Sequence, residues 1–329
     1  MLVKGVVFLL ASDLPPEAIL LLQEFRLVVN KTVRASLDAR VSSRYGISKL
    51  LYRTFREEHP GMYAKHLVSS FEVAAGILKN YRKRLRHGRR FGTPFVKRLM
   101  MKAENQAYKL DRTEGMIDLP IRAGCHVKLR LVVSRYHRRY LNDETLSSGS
   151  LTVLPDRVIV AFRKESPRPI AASSVLSLDT NERSLDGIFV EGGSMGDGLC
   201  VQVKVAFPEV AIIQQRHHER RRRLQKKKAH DRRLTRALCG REGAREHHRI
   251  DHRLHRVANA VLEFAEDHKS AIVLEDLRGM RPSKSKELNR RLSFWPRRKL
   301  HQIIEYKAAW KGIPVVKVDP RYSSKKCPI

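Results

Sequence analysis

Ala271-Ile272-Val273-Leu274-Glu275 is a run of apolar residues closed by a carboxylate. Rich in β-branched residues and too short for a helix, it reads as a buried strand. What lies on either side decides the fold. Upstream, Val175–Leu178 is a similar apolar strand ending at Asp179. Gly187–Glu191 and Leu199–Phe207 are two more, separated by the Gly-rich stretch Gly192–Gly198. A long basic helical region follows from Pro208 to about Lys269, with a break expected at Cys239-Gly240. Downstream, a helix is expected over Arg291–Lys311, stopped by Gly312-Ile313-Pro314, and a last strand, Val315–Val318, ends at Asp319.

This order, β-β-β-α-β-α-β, is the layout of an α/β, RNase H-like fold, in which a hairpin precedes parallel strands reached through helical crossovers. In it the first and fourth strands are adjacent and parallel, so Asp179 and Glu275 leave the sheet at the same edge. Hydrolysis of a phosphodiester by two metal ions calls for such a pair. Hard divalent cations prefer oxygen ligands, and two of them roughly 4 Å apart clamp the attacking and leaving oxygens. A carboxylate after a strand also serves as a plain turn or cap residue. The paired placement is what points to chemistry.

The first half has another texture. Met1–Asp13 holds one lysine and a short apolar run ended by Asp13 and Pro15-Pro16; Val6, Val7 and Phe8 suit a buried strand, and a cytoplasmic protein is expected in place of a secreted one. Helical patterns run over Pro16–Leu37, Ser48–Glu58 and Tyr63–Leu85. Short β-prone segments then appear at Met116–Leu119, Val127–Val133, Leu151–Val153 and Arg157–Phe162, parted by turn residues. They predict a small antiparallel β-domain that the N-terminal strand joins, and Ser166-Pro167-Arg168-Pro169 reads as a linker.

Charge defines the partner. The 329 residues carry 66 Lys and Arg against 34 Asp and Glu, a formal +32, on a chain that is 42% apolar. A surplus of that size destabilises a compact state through self-repulsion unless a polyanion offsets it. With no run of about 18 apolar residues to span a bilayer, nucleic acid is the expected polyanion and membrane is not. The cysteines, Cys125, Cys200, Cys239 and Cys327, form no CxxC, so neither a disulfide framework nor an internal zinc site is expected.

Two basic tracts carry most of the candidate contacts. Arg82, Lys83, Arg84, Arg86, Arg89 and Arg90 lie between Tyr81 and Phe91, a pattern that suits backbone tracking with base stacking. Arg220, Arg221, Arg222 and Arg223, followed by Lys226, Lys227 and Lys228, suit a helix laid against a phosphate backbone. His248 and His252 are spaced i, i+4 like metal-binding histidines, but no HExxH accompanies them and a metal is not expected there. Trp310 reads as core, and Trp295 as a residue near the surface.

The segments Ile272–Met280 and Lys299–Ile329 resemble TnpB, the OrfB-type transposon-encoded proteins related to type V CRISPR effector nucleases. The resemblance is carried by Leu274-Glu275-Asp276-Leu277 and by Tyr306-Lys307-Ala308, Gly312, Val318-Asp319-Pro320, Tyr322, Ser324 and Cys327. It implies an RNA-guided DNA endonuclease with a RuvC-type nuclease domain over residues 171–329, in which Asp179 and Glu275 hold magnesium. Guide RNA and target DNA are the implied partners, in the cytoplasm at the nucleoid. It further implies a wedge-type β-barrel over residues 1–15 and 111–165, interrupted by a helical recognition lobe over 16–110, with 166–170 as linker. Where the family has Asp-Leu-Gly after the first strand, this chain has Asp179-Thr180-Asn181. The family's zinc ribbon begins at the position of Cys327, and its third RuvC aspartate lies further on. One thiol makes no tetrahedral site, so zinc is not expected here, impaired cleavage is, and a non-cleaving RNA- or DNA-binding derivative is the alternative.

Overall fold

Helix α1 (Pro16–Asp38) buries Ala18, Leu21, Leu22, Phe25, Val28, Val29, Thr32, Val33 and Ser36, a 3–4 spacing that makes one apolar stripe. The stripe packs with α2 (Arg44–Glu58) and α3 (Ala64–Arg86), which bury Ile47, Leu51 and Phe55, and Leu67, Phe71, Ala74 and Leu78. Phe25 and Phe71 are fully buried, each stabilising the bundle by about 1.5–3 kcal/mol relative to exposure. The α2 N-terminus is capped by the Ser43 side chain, which accepts from the Gly46 amide at 3.1 Å. The computed structural model describes residues 1–88, 92–122, 124–192, 199–227, 230–277, 285, 289 and 295–319. The chain divides into two compact units, Met1–Glu165 and Ser166–Ile329.

The strands of the first unit are β1 (Leu2–Leu9), β2 (Met101–Ala103), β3 (Lys109–Asp111), β4 (Met116–Arg122), β5 (Cys125–Arg130), β6 (Ser147–Val153) and β7 (Arg157–Lys164), with a short helix α4 at Arg135–Leu141. They form two sheets, β1-β7-β6-β2 and β3-β4-β5. The N-terminal strand pairs with β7 along its whole length, from Leu2 opposite Lys164 to Leu9 opposite Arg157. The sheets are linked by one bridge, Leu10 to Leu131, and among the described residues no closed ring of strands is completed. Residues 101–103 and 109–111 correct the helical expectation for 16–110. Their strands are too short to show a period of their own, and β2 exists because β6 offers it a ladder.

The second unit is a mixed five-stranded sheet with helices. Its strands are β8 (Ser174–Thr180), β9 (Ser184–Glu191), β10 (Cys200–Ala206), β11 (Ser270–Glu275) and β12 (Val315–Val318), in the order β10-β9-β8-β11-β12. The β8–β9 and β9–β10 pairs are antiparallel, while β8–β11 and β11–β12 are parallel. Parallel pairing needs long crossovers. The first is α5 (Glu209–Lys227) with α6 (Arg232–Asp267), the second α7 (Arg297–Lys311). All three helices join one core with alternate strand residues: Val210 and Ile213, Leu254 and Val261, and Leu300 and Ile304 pack with Leu176, Leu178, Ile272 and Leu274. The expected break at Cys239-Gly240 does not occur, for α6 runs through both residues. The crossover turns near residue 231 instead, where Asp231 caps α6 by accepting from the Arg233 and Leu234 amides at 2.9 Å. A mid-helix glycine costs only about 1 kcal/mol against alanine, less than the packing of a helix this long supplies.

Candidate functional site

The buried and exposed residues of β8 alternate strictly from Ser174 to Thr180, which puts Leu176 and Leu178 in the core and Val175, Ser177 and Asp179 on the other face. In β11 the same alternation puts Ile272 and Leu274 inward and leaves Ala271, Val273 and Glu275 half-exposed. Leu274 is in register with Leu178, so Asp179 and Glu275, one step further, stand level on neighbouring parallel strands. Strands lie about 4.8 Å apart. The two carboxylates therefore share one edge and the face turned away from the helices.

Across the hairpin, Asp186 of β9 is directly opposite Asp179. Sequence reasoning missed this third carboxylate, because only the hairpin register brings it there. Asp186 is held within its own turn: the Ser184 hydroxyl donates to it, Asn181 Nδ2 donates at 2.8 Å, and Lys204 Nζ lies at 3.5 Å. These contacts, the Ser184 hydrogen bond foremost, hold its carboxyl below the usual carboxylate range. Among the described residues no group of three or more His, Cys, Asp or Glu is placed to hold a metal. Asp276 leaves β11 with its amide donating to the Val318 carbonyl at 2.8 Å, and Asp319 follows β12.

The edge that carries Asp179 is fastened by α7 and the residue before it. Thr180 is 2% exposed, and its hydroxyl lies 2.7 Å from Nε2 of the buried His301. Burial, with Lys317 adding to it, pushes the His301 imidazole below its ordinary value, so the ring is neutral at physiological pH. Trp295 Nε1 donates to the Asn181 carbonyl at 3.0 Å, and the Arg297 guanidinium sits 4.9 Å from the Trp295 ring. Thr180 and Asn181 are thus both engaged structurally. Gly187, opposite Leu178, is required by close approach, since a Cβ there would lie 1.9 Å from the Ser177 carbonyl oxygen.

The basic tracts are less uniform than their composition. Arg82 turns back onto its own unit, donating to the Ser42 hydroxyl and, at 2.9 Å, to the Arg40 carbonyl. Lys83, Arg84 and Arg86 occupy the last turn of α3, where they also complement the helix dipole. On α5, Arg220 reaches Glu242 at 3.3 Å and Arg221 pairs with Glu246, both on α6. Arg222, Arg223, Lys226 and Lys227 complete its exposed side. Arg89, Arg90, Lys228 and Cys327 lie outside the described residues. Two histidines beside the His248, His252 pair, His247 and His255, face α7: the first lies 3.2 Å from Asp251 and 3.3 Å from Lys299, the second 3.4 Å from the Tyr306 hydroxyl.

The model of the Cas12f1-like TNB domain matches residues 298–329, and that of the uncharacterized protein MJ0013 family matches 21–117. TnpB-like protein MJ0751 of Methanocaldococcus jannaschii is 28% identical over 210 residues, 62% of this chain and 74% of its own. TnpB-like protein aq_aa05 of Aquifex aeolicus is 37% identical over 73 residues, 22% of this chain and 24% of its own. The CRISPR-associated endodeoxyribonuclease Cas12f2 of a Micrarchaeota archaeon is 35% identical over 83 residues, 24% of this chain and 15% of its own. The similarity is thus to TnpB-like proteins and, over residues 298–329, to the Cas12f1-like TNB domain. Its similarity to a solved Cas12f ternary complex covers 94% of this chain and 72% of the other at 13% identity, with a TM-score of 0.38. The Cas12i1 R-loop complex before target DNA cleavage gives 95% and 54% at 8% identity, with a TM-score of 0.48. The segment matched by the TNB model begins inside α7, so in this TnpB-like chain the matched region includes His301, the residue that fastens the Asp179 edge.

Proposed function

We propose that this chain acts as a transposon-associated, RNA-guided DNA nuclease: the second unit is a RuvC-type, RNase H-like domain, its basic helices hold guide RNA and target DNA, and Asp179 and Glu275 serve phosphodiester hydrolysis. The observation that carries this reading is the parallel register of β8 and β11, which sets the two carboxylates level on one face of a chain with a formal charge of +32. Their hard oxygen donors fit magnesium better than any soft metal. Such an ion, when bound, supplies Lewis-acid activation of the scissile phosphate. The chain's own residues do the rest: arginines and lysines neutralise the backbone, and Thr180, His301 and Trp295 hold the Asp179 edge still. The first unit corresponds, on this reading, to the wedge-type domain with its helical recognition lobe. No described helix is long and apolar enough to cross a membrane, and the cytoplasmic nucleoid is the proposed place of action.

One observation favours a second reading, a non-cleaving RNA- and DNA-binding protein. Asp186, the third carboxylate at the edge, is committed to Ser184 and Asn181. Cleavage and binding of a guide-matched DNA, measured together with magnesium, separate the two. A nuclease cuts, and Asp179→Ala or Glu275→Ala lowers cutting by at least about 10²-fold, roughly 3 kcal/mol of barrier, while binding stays. Guided binding without cutting by the unaltered chain supports the second reading. Cutting that survives Glu275→Ala overturns the assignment of the edge.

A further inference from the structure

The α5–α6 pair encloses a cleft of about 480 Å3, within the roughly 300–1,000 Å3 of ordinary ligand sites. Its cations are Arg220, Arg223 and Lys227 from α5 and Arg241 and Arg245 from α6, against a single carboxylate, Glu242. Arg220, Arg223 and Lys227 recur at i, i+3 and i+7 on α5, and Arg241 and Arg245 at i, i+4 on α6, so one face of α5 confronts one face of α6. Leu224 and Leu238 supply the apolar wall between them. Among the described residues Arg223, Lys227 and Arg241 enter no ion pair, and a site with five cations and one anion calls for an anionic ligand with more than one charge.

Glu242 makes the cleft more than a charged surface. Its side chain is 8% exposed, whereas those of Arg220 and Arg245 are 60% and 74% exposed. One carboxylate oxygen lies 2.8 Å from His217 Nδ1 and 3.3 Å from Arg220 Nη1; the other lies 3.9 Å from Arg245 Nη1. Burial works to raise the carboxyl, but the Arg220 hydrogen bond and the proximity of His217 and Arg220 outweigh it and hold the carboxyl below the usual range. A buried anion thus accepts a hydrogen bond from one nitrogen of the solvent-facing Arg220 guanidinium and holds that of Arg245 at ion-pair distance, and their other N–H groups face the cleft. Long side chains held in place before binding lose less freedom when a phosphate arrives.

We propose that this cleft is a phosphodiester-backbone site in which Glu242 acts as a positioning residue for Arg220 and Arg245. The proposal rests on the nucleic-acid reading above and extends it to Arg241, Arg245 and Glu242, which no composition-based tract contained. It carries a sign that charge counting reverses. Glu242→Gln raises the net charge by one, so a cleft acting by charge alone binds a polyanion more tightly. A cleft that depends on oriented arginines binds it more weakly.

The test uses the full chain, a fluorescently labelled single-stranded RNA of about 20 nucleotides, its DNA counterpart and the RNA–DNA duplex, each titrated at several salt concentrations. Glu242→Gln is expected to weaken binding about 5- to 10-fold. Arg241→Gln with Arg245→Gln is expected to weaken it more and to flatten the log–log salt slope by about 1.4 for single strands, two phosphates at about 0.7 each. Which of the three probes loses most identifies the strand that lies in the cleft. Unchanged or tighter binding by Glu242→Gln overturns the positioning role. An unchanged slope in the Arg241, Arg245 variant overturns the cleft while the nucleic-acid reading stands, and failure of the unaltered chain to bind any probe overturns that reading as well. Circular dichroism checks that each variant is folded. Should Glu242→Gln not fold, Glu242→Asp, with the charge kept and the reach shortened, is expected to weaken binding in the same direction, and no weakening counts against the role.

Discussion

At the scale of single residues, the candidate edge depends on one missing side chain, and the stability of the first unit on one proton that is kept out. Gly187 allows β9 to approach β8 at Leu178, where a Cβ would lie 1.9 Å from a carbonyl oxygen. The obstacle is backbone and cannot rotate away. Gly187→Ala should therefore destabilise by about 3 kcal/mol, at the upper end of the usual overpacking cost, read as a fall in the urea midpoint. Gly76, inside α3, meets nothing within 4 Å, and Gly76→Ala should stabilise by about 0.5–1 kcal/mol. His66 is the proton case. It is fully buried on α3, its Nε2 lies 2.7 Å from the Pro120 carbonyl, its Nδ1 has no partner, and burial pulls its pKa to about 4. With the folded value below the unfolded 6.5, the unfolded chain binds more protons between the two. The stabilisation is complete above about pH 6.5 and is lost as pH falls through about 4, up to roughly 3 kcal/mol. Urea unfolding at pH 7 and pH 4.5 should show that loss, and His66→Gln, which keeps a donor for Pro120, should lessen it.

At the scale of elements, the β-strands of the second unit were largely legible because alternation and strand length report burial directly. Val175–Leu178, Gly187–Glu191 and Ala271–Leu274 lie within β8, β9 and β11. The basic crossover was legible as a helix but not as a pair with its turn near residue 231, since residues 238–246 are held in helix by contacts with α5, distant along the chain. Its arginines divide accordingly. Arg221, 23% exposed, is tied to Glu246, while Arg222 and Arg223 face outward or into the cleft. Converting Arg220 to Arg223 to glutamine should therefore flatten the log–log salt dependence of RNA binding by about 2, less than four equal phosphate contacts at about 0.7 each. An unchanged slope would remove α5 from the interface.

At the scale of the whole chain, two units with separate cores, Met1–Glu165 and Ser166–Ile329, should not unfold as one. Urea denaturation followed by circular dichroism is expected to show two transitions. The acid sensitivity conferred by His66 should shift only one of them, since that residue belongs to the first unit and its pKa shift arises there. A single two-state curve carrying the His66 effect throughout would mean that the units fold cooperatively.

The sequence by itself determined the excess of +32 in charge on which the proposed class of partner rests, and the presence of apolar strands that carry Asp179 and Glu275 at their ends. Both follow from composition and short-range pattern, which need no knowledge of what lies across the sheet. Tertiary structure alone decided that β8 and β11 pair in register, that Asp186 stands opposite Asp179, that His301 holds Thr180, and that Arg241 and Arg245 meet Arg220 around Glu242. It also decided that Arg82 turns inward to Ser42 and Arg40. Each of these joins residues distant along the chain. Such contacts are chosen by the packing of whole faces, where a one-residue slip would reverse every side chain of a strand, and no local run of residues records that choice.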